Sequence, residues 1–384
     1  MRTLVVSDLH LGLRSAVPVL EERVARAALL ERVRQVDRLV LMGDTVELRQ
    51  RPTKEMIDAA VTVLVELGGA LGPEREVVII PGNHDHRLLA AWRERRAVET
   101  GPPELGLEND VDWRADEPLG VLAGALAPAR VRVTYPGLWL RPDVYAIHGH
   151  YVDRHITFPI LERLGAAAMA RLMGQREEAL SGPADYEAVL APMYDWLDAV
   201  SEVWSGISGG LQVRVWRSLR SRPRRRTWRQ HGAALTIPIA VAALNGVGLG
   251  PLGSDLSGAE LRRAGLRAFD QVLERLGVQA SHTIFGHTHR AGPLPDDERT
   301  EWTSSSGSSM TNTGSWVRST DLIGQSSGES PYRPGFAVVV RDQGPPELLN
   351  VLDAGGAPEV QPAPLSVSQG HTGSLAGAVR PGPG

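Results

Sequence analysis

The sequence predicts a layered α/β fold with helices on the faces of a sheet and a helical insertion partway along. Three observations carry that prediction. Strand-like and helix-like patterns alternate over the first 150 residues; strand signals give way to helical periodicity over residues 151–280; and five short polar motifs each stand where an apolar, strand-like run ends. Alternating elements of this kind build helices onto sheet faces. Side chains at the carboxyl ends of parallel strands converge on one crevice.

The elements follow in order. TLVVS reads as a buried strand and ends at Asp8-Leu9-His10. Pro18 to Val36 is an amphipathic helix, with apolar Val19, Leu20, Val24, Ala27, Ala28 and Val33. RLVLM is the second strand and ends at Gly43-Asp44, and Thr53 to Leu67 repeats the helical pattern. EVVIIP ends at Gly82-Asn83-His84-Asp85, and Arg87 to Arg96 reads as helix. Pro102 to Gly120 reads as loop; Arg130–Tyr135 and Trp139–Ile147 read as strands joined by a turn at Pro136-Gly137. The second of these closes with VYAI before His148-Gly149-His150. Ile156 to Met173, Asp185 to Val203 and Leu256 to Leu276 are helical by periodicity. HTIF then leads into Gly286-His287-Thr288-His289. Thr303–Ser309 is a polar turn, Asn312–Trp316 fits a strand beside the motif ends, and Phe336–Arg341 with Leu348–Asp353 reads as a closing antiparallel pair. From Ala354 the chain is Gly, Pro, Ala and Ser with few large apolar residues, a composition that predicts disorder. The predicted organisation is a core of residues 1–150 and 281–353, a helical cap of 151–280 and a tail of 354–384.

Composition bounds the chemistry. The 384 residues, 42% hydrophobic and 22% charged, are ordinary for a soluble globular protein. A net charge of −4 argues against a nucleic-acid-coating protein. With no cysteine there are neither disulfides nor thiolate ligands, so any metal must be held by O and N donors. MRTLVVSDLH enters the first strand without a signal-peptide pattern, which predicts a cytoplasmic protein. The residues delivered to the strand ends are Asp8, His10, Asp44, Asn83, His148, His287 and His289, which predicts two divalent ions sharing one carboxylate. Mixed carboxylate and imidazole donors suit Mn²⁺, Fe or Zn²⁺ better than Ca²⁺ or Mg²⁺, with Mn²⁺ placed first.

The ordered motifs DxH, GDxx(D/E), GNH(D/E), a later His and GHxH resemble those of the calcineurin-like metallophosphoesterase family. The resemblance covers roughly residues 1–150 and 280–353 and implies a β-sandwich flanked by helices. It further implies Asp8, His10, Asp44 and His289 around one metal, and Asp44, Asn83, His148 and His287 around the other. Asp44 has two oxygens and can bridge; Asn83 offers one neutral carbonyl oxygen. The implied reaction is hydrolysis of a phosphomonoester, phosphodiester or diphosphate by a metal-activated hydroxide. His84 would stabilise the transferring group or protonate the leaving oxygen, and Asp85 would orient His84. Glu47, at the family's acid position after GD, reads as structural. His150 is left outside the ligand set, and His86, His155, His231 and His371 read as surface or loop residues.

Two further features bear on the substrate. A helical insertion before the last motif is similar to the UDP-2,3-diacylglucosamine pyrophosphatase branch, which acts on a nucleotide-linked lipid precursor at the membrane surface. That branch commonly has Arg after the motif Asn, where this chain has His84, so the expectation moves to a small phosphate ester. Arg214 to Arg229 holds eight arginines with Trp216 and Trp228, and Ala233 to Leu252 is apolar. Residues 214–252 could therefore make peripheral membrane contact. Pro238, Asn245 and the glycines after it interrupt the run, against a spanning helix. A metal-bound scaffold without activity is the non-enzymatic alternative, and His84 beside Asn83 argues against it.

Overall fold

The computed structural model describes residues 1–13, 17–49, 53–99, 101, 104–157, 161–175, 180–203, 258–318 and 330–353. The arginine-rich run, the apolar run after it, His231, His371 and the tail from Ala354 lie outside the described residues. Strands β1 (Arg2–Val6), β3 (Arg38–Met42) and β4 (Glu76–Ile80) are parallel neighbours, and β4 continues in parallel onto the start of β6 (Arg130–Arg141). A short β2 (Val17–Pro18) lies apart, paired with β10 (Val317–Arg318). On the far side of β1, β11 (Phe336–Arg341) and β12 (Glu347–Asn350) close the sheet in antiparallel fashion. The second half of β6 turns onto β7 (Val144–Ile147), and β7, β8 (His282–Phe285) and β9 (Ser309–Asn312) run parallel.

Side-chain alternation shows how this strand path folds on itself. Val5, Val40, Met42, Val78 and Ile80 from the first portion meet Leu138, Leu140, Val144, Ala146 and Ile284 from the second in one buried cluster. Their sequence neighbours Leu4, Val6, Leu39, Leu41, Val77 and Ile79 face the other way, onto α1 (Arg23–Val33), α2 (Thr53–Leu71) and α4 (Pro118–Ala125). Tyr145, Ile147 and Phe285 face outward onto α5 (Leu161–Leu172), α6 (Pro183–Val203) and α7 (Gly258–Leu276). Strands buried on both faces explain the unbroken apolar runs in the sequence. The architecture is the predicted β-sandwich with helices on both outer faces. Among the described residues of the 151–280 region, α5, α6 and α7 form one of those outer layers, sharing a core with β7 and β8.

Two sequence expectations are corrected. Pro136-Gly137 is not a turn: β6 runs through it, and the reversal comes at Pro142-Asp143. Gly137 is required because a Cβ there would stand 2.3 Å from the Tyr145 hydroxyl as β6 crosses onto β7. Pro102 to Gly120 is not all loop, since it holds β5 (Glu108–Asp110) and the start of α4. Strand β5 survives with three residues because it pairs with β6 at Tyr135, out of reach of any periodicity argument. Among the described residues, no helix is long and apolar enough to cross a membrane.

Candidate metal centre

The loops after β1, β3, β4, β7 and β8 meet at one edge of the sandwich. Asp8 and His10 follow β1, Asp44 follows β3, Asn83 and His84 follow β4, His148 follows β7 directly, and His287 and His289 follow β8. Five of these are left-handed: Asp8 (φ 55°), His10 (45°), Asp44 (50°), His287 (64°) and His289 (57°). No other non-glycine among the described residues has a positive φ. An L-residue in that region costs on the order of 1 kcal/mol or more, and such strain gathers where function requires a geometry. Gly43 completes the crowding, since its Cβ would lie 2.1 Å from Nδ1 of His148.

The donors fall into two groups around Asp44. In one, His289 Nε2 lies 3.1 Å from Asp8 Oδ1 and 3.1 Å from His10 Nε2. In the other, His148 Nε2 is 3.3 Å from both Asp44 Oδ2 and Asn83 Oδ1, and His287 Nδ1 is 3.1 Å from Asn83 Oδ1. Asp44 Oδ2 also lies 3.7 Å from His10 Nε2, so the one carboxylate faces both groups. The ring nitrogens that do not face inward are anchored. His148 Nδ1–H donates to the Met42 carbonyl at 3.0 Å, and His10 Nδ1–H to Glu47 Oε2 at 3.2 Å. Each anchor fixes a tautomer with the remaining lone pair aimed at the centre.

These residues fit a bound cation. Asp8 Oδ2 accepts from the Ser7 hydroxyl and from the backbone N–H of His287, whereas Oδ1 is buried and accepts no hydrogen bond. A proton between His10 Nε2 and His289 Nε2 would serve one of them only. Donor separations near 3 Å arise where bonds of about 2.0–2.2 Å converge on one ion. The electrostatics agree. Burial would raise the Asp44 carboxyl, but His148 and His84 outweigh it and hold it well below the usual carboxylate range. Burial would lower His148, yet Asp44 lifts it to about 10. Opposed perturbations of this size mark functional sites.

Glu47 and Asp85 exchange their expected parts. Asp85 does not touch the His84 ring. Its carboxylate accepts the backbone N–H of Gly82 at 2.6 Å and of Thr45 at 2.7 Å, tying the β3 and β4 loops together. A short Asp side chain three residues into a turn folds back on its own loop. Burial, then Asp44, pushes its carboxyl up to about 6. Glu47 holds His84 instead, with Oε2 2.8 Å from His84 Nδ1. Burial opposes ionisation of Glu47, but His84 and His10 outweigh it and hold the carboxyl well below its usual range. Burial likewise pulls His84 down, and Glu47 outweighs it to leave the imidazole raised. The His84 side chain is 28% exposed, as is that of His289, so the assembly opens on these two imidazoles.

His86 and His155, read as surface residues, are buried: His86 Nε2 meets Glu187 Oε2 at 3.0 Å, and His155 Nε2 meets the Tyr186 hydroxyl at 2.6 Å. His150 is buried against the Tyr135 hydroxyl and stays outside the donor set. Asn312, at the end of β9, donates to the Gly286 carbonyl and to Thr288 Oγ1, bracing the last motif. Asp153, on the turn His150–Arg154, was missed by sequence reasoning; its Oδ1 lies 2.8 Å from His287 Nε2.

A sandwich that gathers carboxylate, amide and imidazole donors at one edge has the build of a metal-dependent hydrolase. The profile of the family described as calcineurin-like phosphoesterase matches residues 1–164 of the chain, the segment that carries Asp8, His10, Asp44, Asn83 and His148. Among solved structures, a dimetal phosphatase from Danio rerio aligns with 91% of this chain and 99% of its own at 11% identity and a TM-score of 0.34. No curated protein matches the chain.

Proposed function

We propose that the chain hydrolyses a phosphomonoester, phosphodiester or diphosphate bond of a small molecule with two divalent ions. Asp8, His10, Asp44 and His289 would hold one, and Asp44, Asn83, His148 and His287 the other. The observation that carries this reading is the backbone: the five left-handed non-glycine residues among those described all belong to this donor set. Divalent ions in such a site lower the pKa of water and offset charge on a phosphoryl group. Mn²⁺ is the ion proposed first, with Fe or Zn²⁺ next. The reading divides the chain into a core of 1–150 and 281–353, a helical cap of 151–280 and a tail of 354–384.

The chain's own groups then act as follows. Glu47 accepts Nδ1–H of His84 and, by its charge, favours the imidazolium. The ring's other nitrogen is left to donate its proton to a leaving oxygen. The backbone N–H of His84 donates to Asp44 Oδ1 at 2.8 Å, so acid and bridging carboxylate are set from one loop. Asp85 contributes by holding the two loops in register.

The test is elemental analysis of the full chain together with a screen against aryl phosphate mono- and diesters, cyclic nucleotides and nucleotide diphosphates with added Mn²⁺. We expect about two ions per chain, activity lost on chelation and restored best by Mn²⁺. Fully active protein holding one ion or none would overturn the proposal.

A further inference from the structure

We infer that Asp153, held in turn by Tyr194 of α6, is the positioning residue that fixes the His287 imidazole in the centre. The inference rests on the proposed role of His287 as a metal ligand and extends it to a carboxylate outside the motifs.

His287 stands between two partners. Its Nδ1 faces Asn83 Oδ1 at 3.1 Å, and its Nε2 faces Asp153 Oδ1 at 2.8 Å. An imidazole that donates Nε2–H to a carboxylate keeps its lone pair on Nδ1, which here is the inward nitrogen. His148 and His10 are anchored by a backbone carbonyl and by Glu47; Asp153 gives His287 the equivalent anchor. Asp153 is itself fully buried, so its charge is poorly screened and its direction is fixed.

Asp153 is directed from α6. Its Oδ2 accepts the Tyr194 hydroxyl at 3.1 Å. Burial, then Asp153, keeps the Tyr194 phenol protonated well above its ordinary range, so it remains a donor. The Arg49 guanidinium lies over the Tyr194 ring at 5.2 Å and 3.5 Å from Asp198, also on α6. A helix from the 151–280 segment thus reaches behind the centre and sets one of its imidazoles through a single carboxylate.

The experiment uses the full chain and Mn²⁺, with stoichiometry and both dissociation constants read by competition against a chromophoric chelator. Electron paramagnetic resonance separates coupled from isolated Mn²⁺. Asp153→Ala is expected to weaken one of the two ions by roughly 10–100-fold and leave the other near its parent affinity. Below saturation, the coupled signal should give way to isolated Mn²⁺. Asp153→Asn, whose amide oxygen can still accept Nε2–H, should recover most of that loss. Tyr194→Phe should weaken the same ion by a smaller factor, which keeps the test open if Asp153→Ala does not fold. Parent affinity for both ions in folded Asp153→Ala, or in both Asp153→Asn and Tyr194→Phe, would overturn the inference. So would equal weakening of both ions, the result of a purely structural role. A parent chain holding fewer than two ions would instead overturn the dinuclear reading itself.

Discussion

Asp44 shows how much one side chain does at this edge. Oδ2 faces both donor groups, while Oδ1 accepts the His84 backbone N–H. Asp44→Asn is therefore expected to lose bound metal, read by elemental analysis. His84→Ala should keep both ions and lose on the order of 10²–10⁴-fold in kcat, the scale of a lost general acid. Glu47→Gln should keep both ions and fall between His84→Ala and the parent in kcat on an aryl phosphate. Parent-like turnover in Glu47→Gln would return Glu47 to a structural part. That these seven side chains gather at one edge was legible in the sequence because each follows a strand-like run, and strand ends converge. The dyad was not. Asp85 adjoins His84 in sequence, but adjacency in a turn points its carboxylate back at the loop. Asp153 meets His287 across 134 residues, a separation at which no local pattern exists.

Helix α2 offers a paired prediction at the scale of an element. Gly68 and Gly69 are sequence neighbours in its last turns, yet a Cβ at Gly68 would stand 2.0 Å from the Leu126 carbonyl oxygen, beside α4, and one at Gly69 would meet nothing within 4 Å. Gly69→Ala is expected to stabilise by about 0.5–1 kcal/mol through helix propensity. Gly68→Ala should destabilise by about 1–3 kcal/mol, since backbone must shift. Denaturant unfolding of the two variants checks both signs. The long helices were readable because their periodicity survives many turns. Helix α4 was not, although Pro118 stands at its first turn, a start signal in its own right, because its buried Leu119, Gly120, Leu122 and Ala123 leave no polar face to set a period. At Pro136-Gly137 the residues that usually punctuate a chain instead let β6 pass close beneath Tyr145 and serve both sheets.

For the molecule as a whole, ions that bind only the folded chain should raise its stability. Chelation is expected to lower the thermal midpoint, by an amount equivalent to about 2.7 kcal/mol per site when free ion stands near 100 Kd. An unchanged midpoint would mean that no such linkage exists. Proton linkage adds a second expectation through Asp198, whose carboxyl burial pushes up to about 6 against the opposing pull of Arg49. The folded chain holds that proton more tightly than the unfolded one, so this contribution is full below about pH 4 and is lost as pH rises through about 6. In chelated protein, Asp198→Asn should therefore gain on the parent by on the order of 2–3 kcal/mol between those limits. Denaturant unfolding at both pH values reads that difference, and a gap that does not widen with pH counts against it. Finally, β1 takes β11 as a neighbour, with Val5 opposite Val338. A ribosome delivers these partners far apart in time, and His287 and His289 also emerge late. The nascent N-terminal half must wait with one edge of β1 open, a long closure that slows folding. Any ion that needs His287 or His289 would thus load late in biogenesis, on a chain whose far end has already come home.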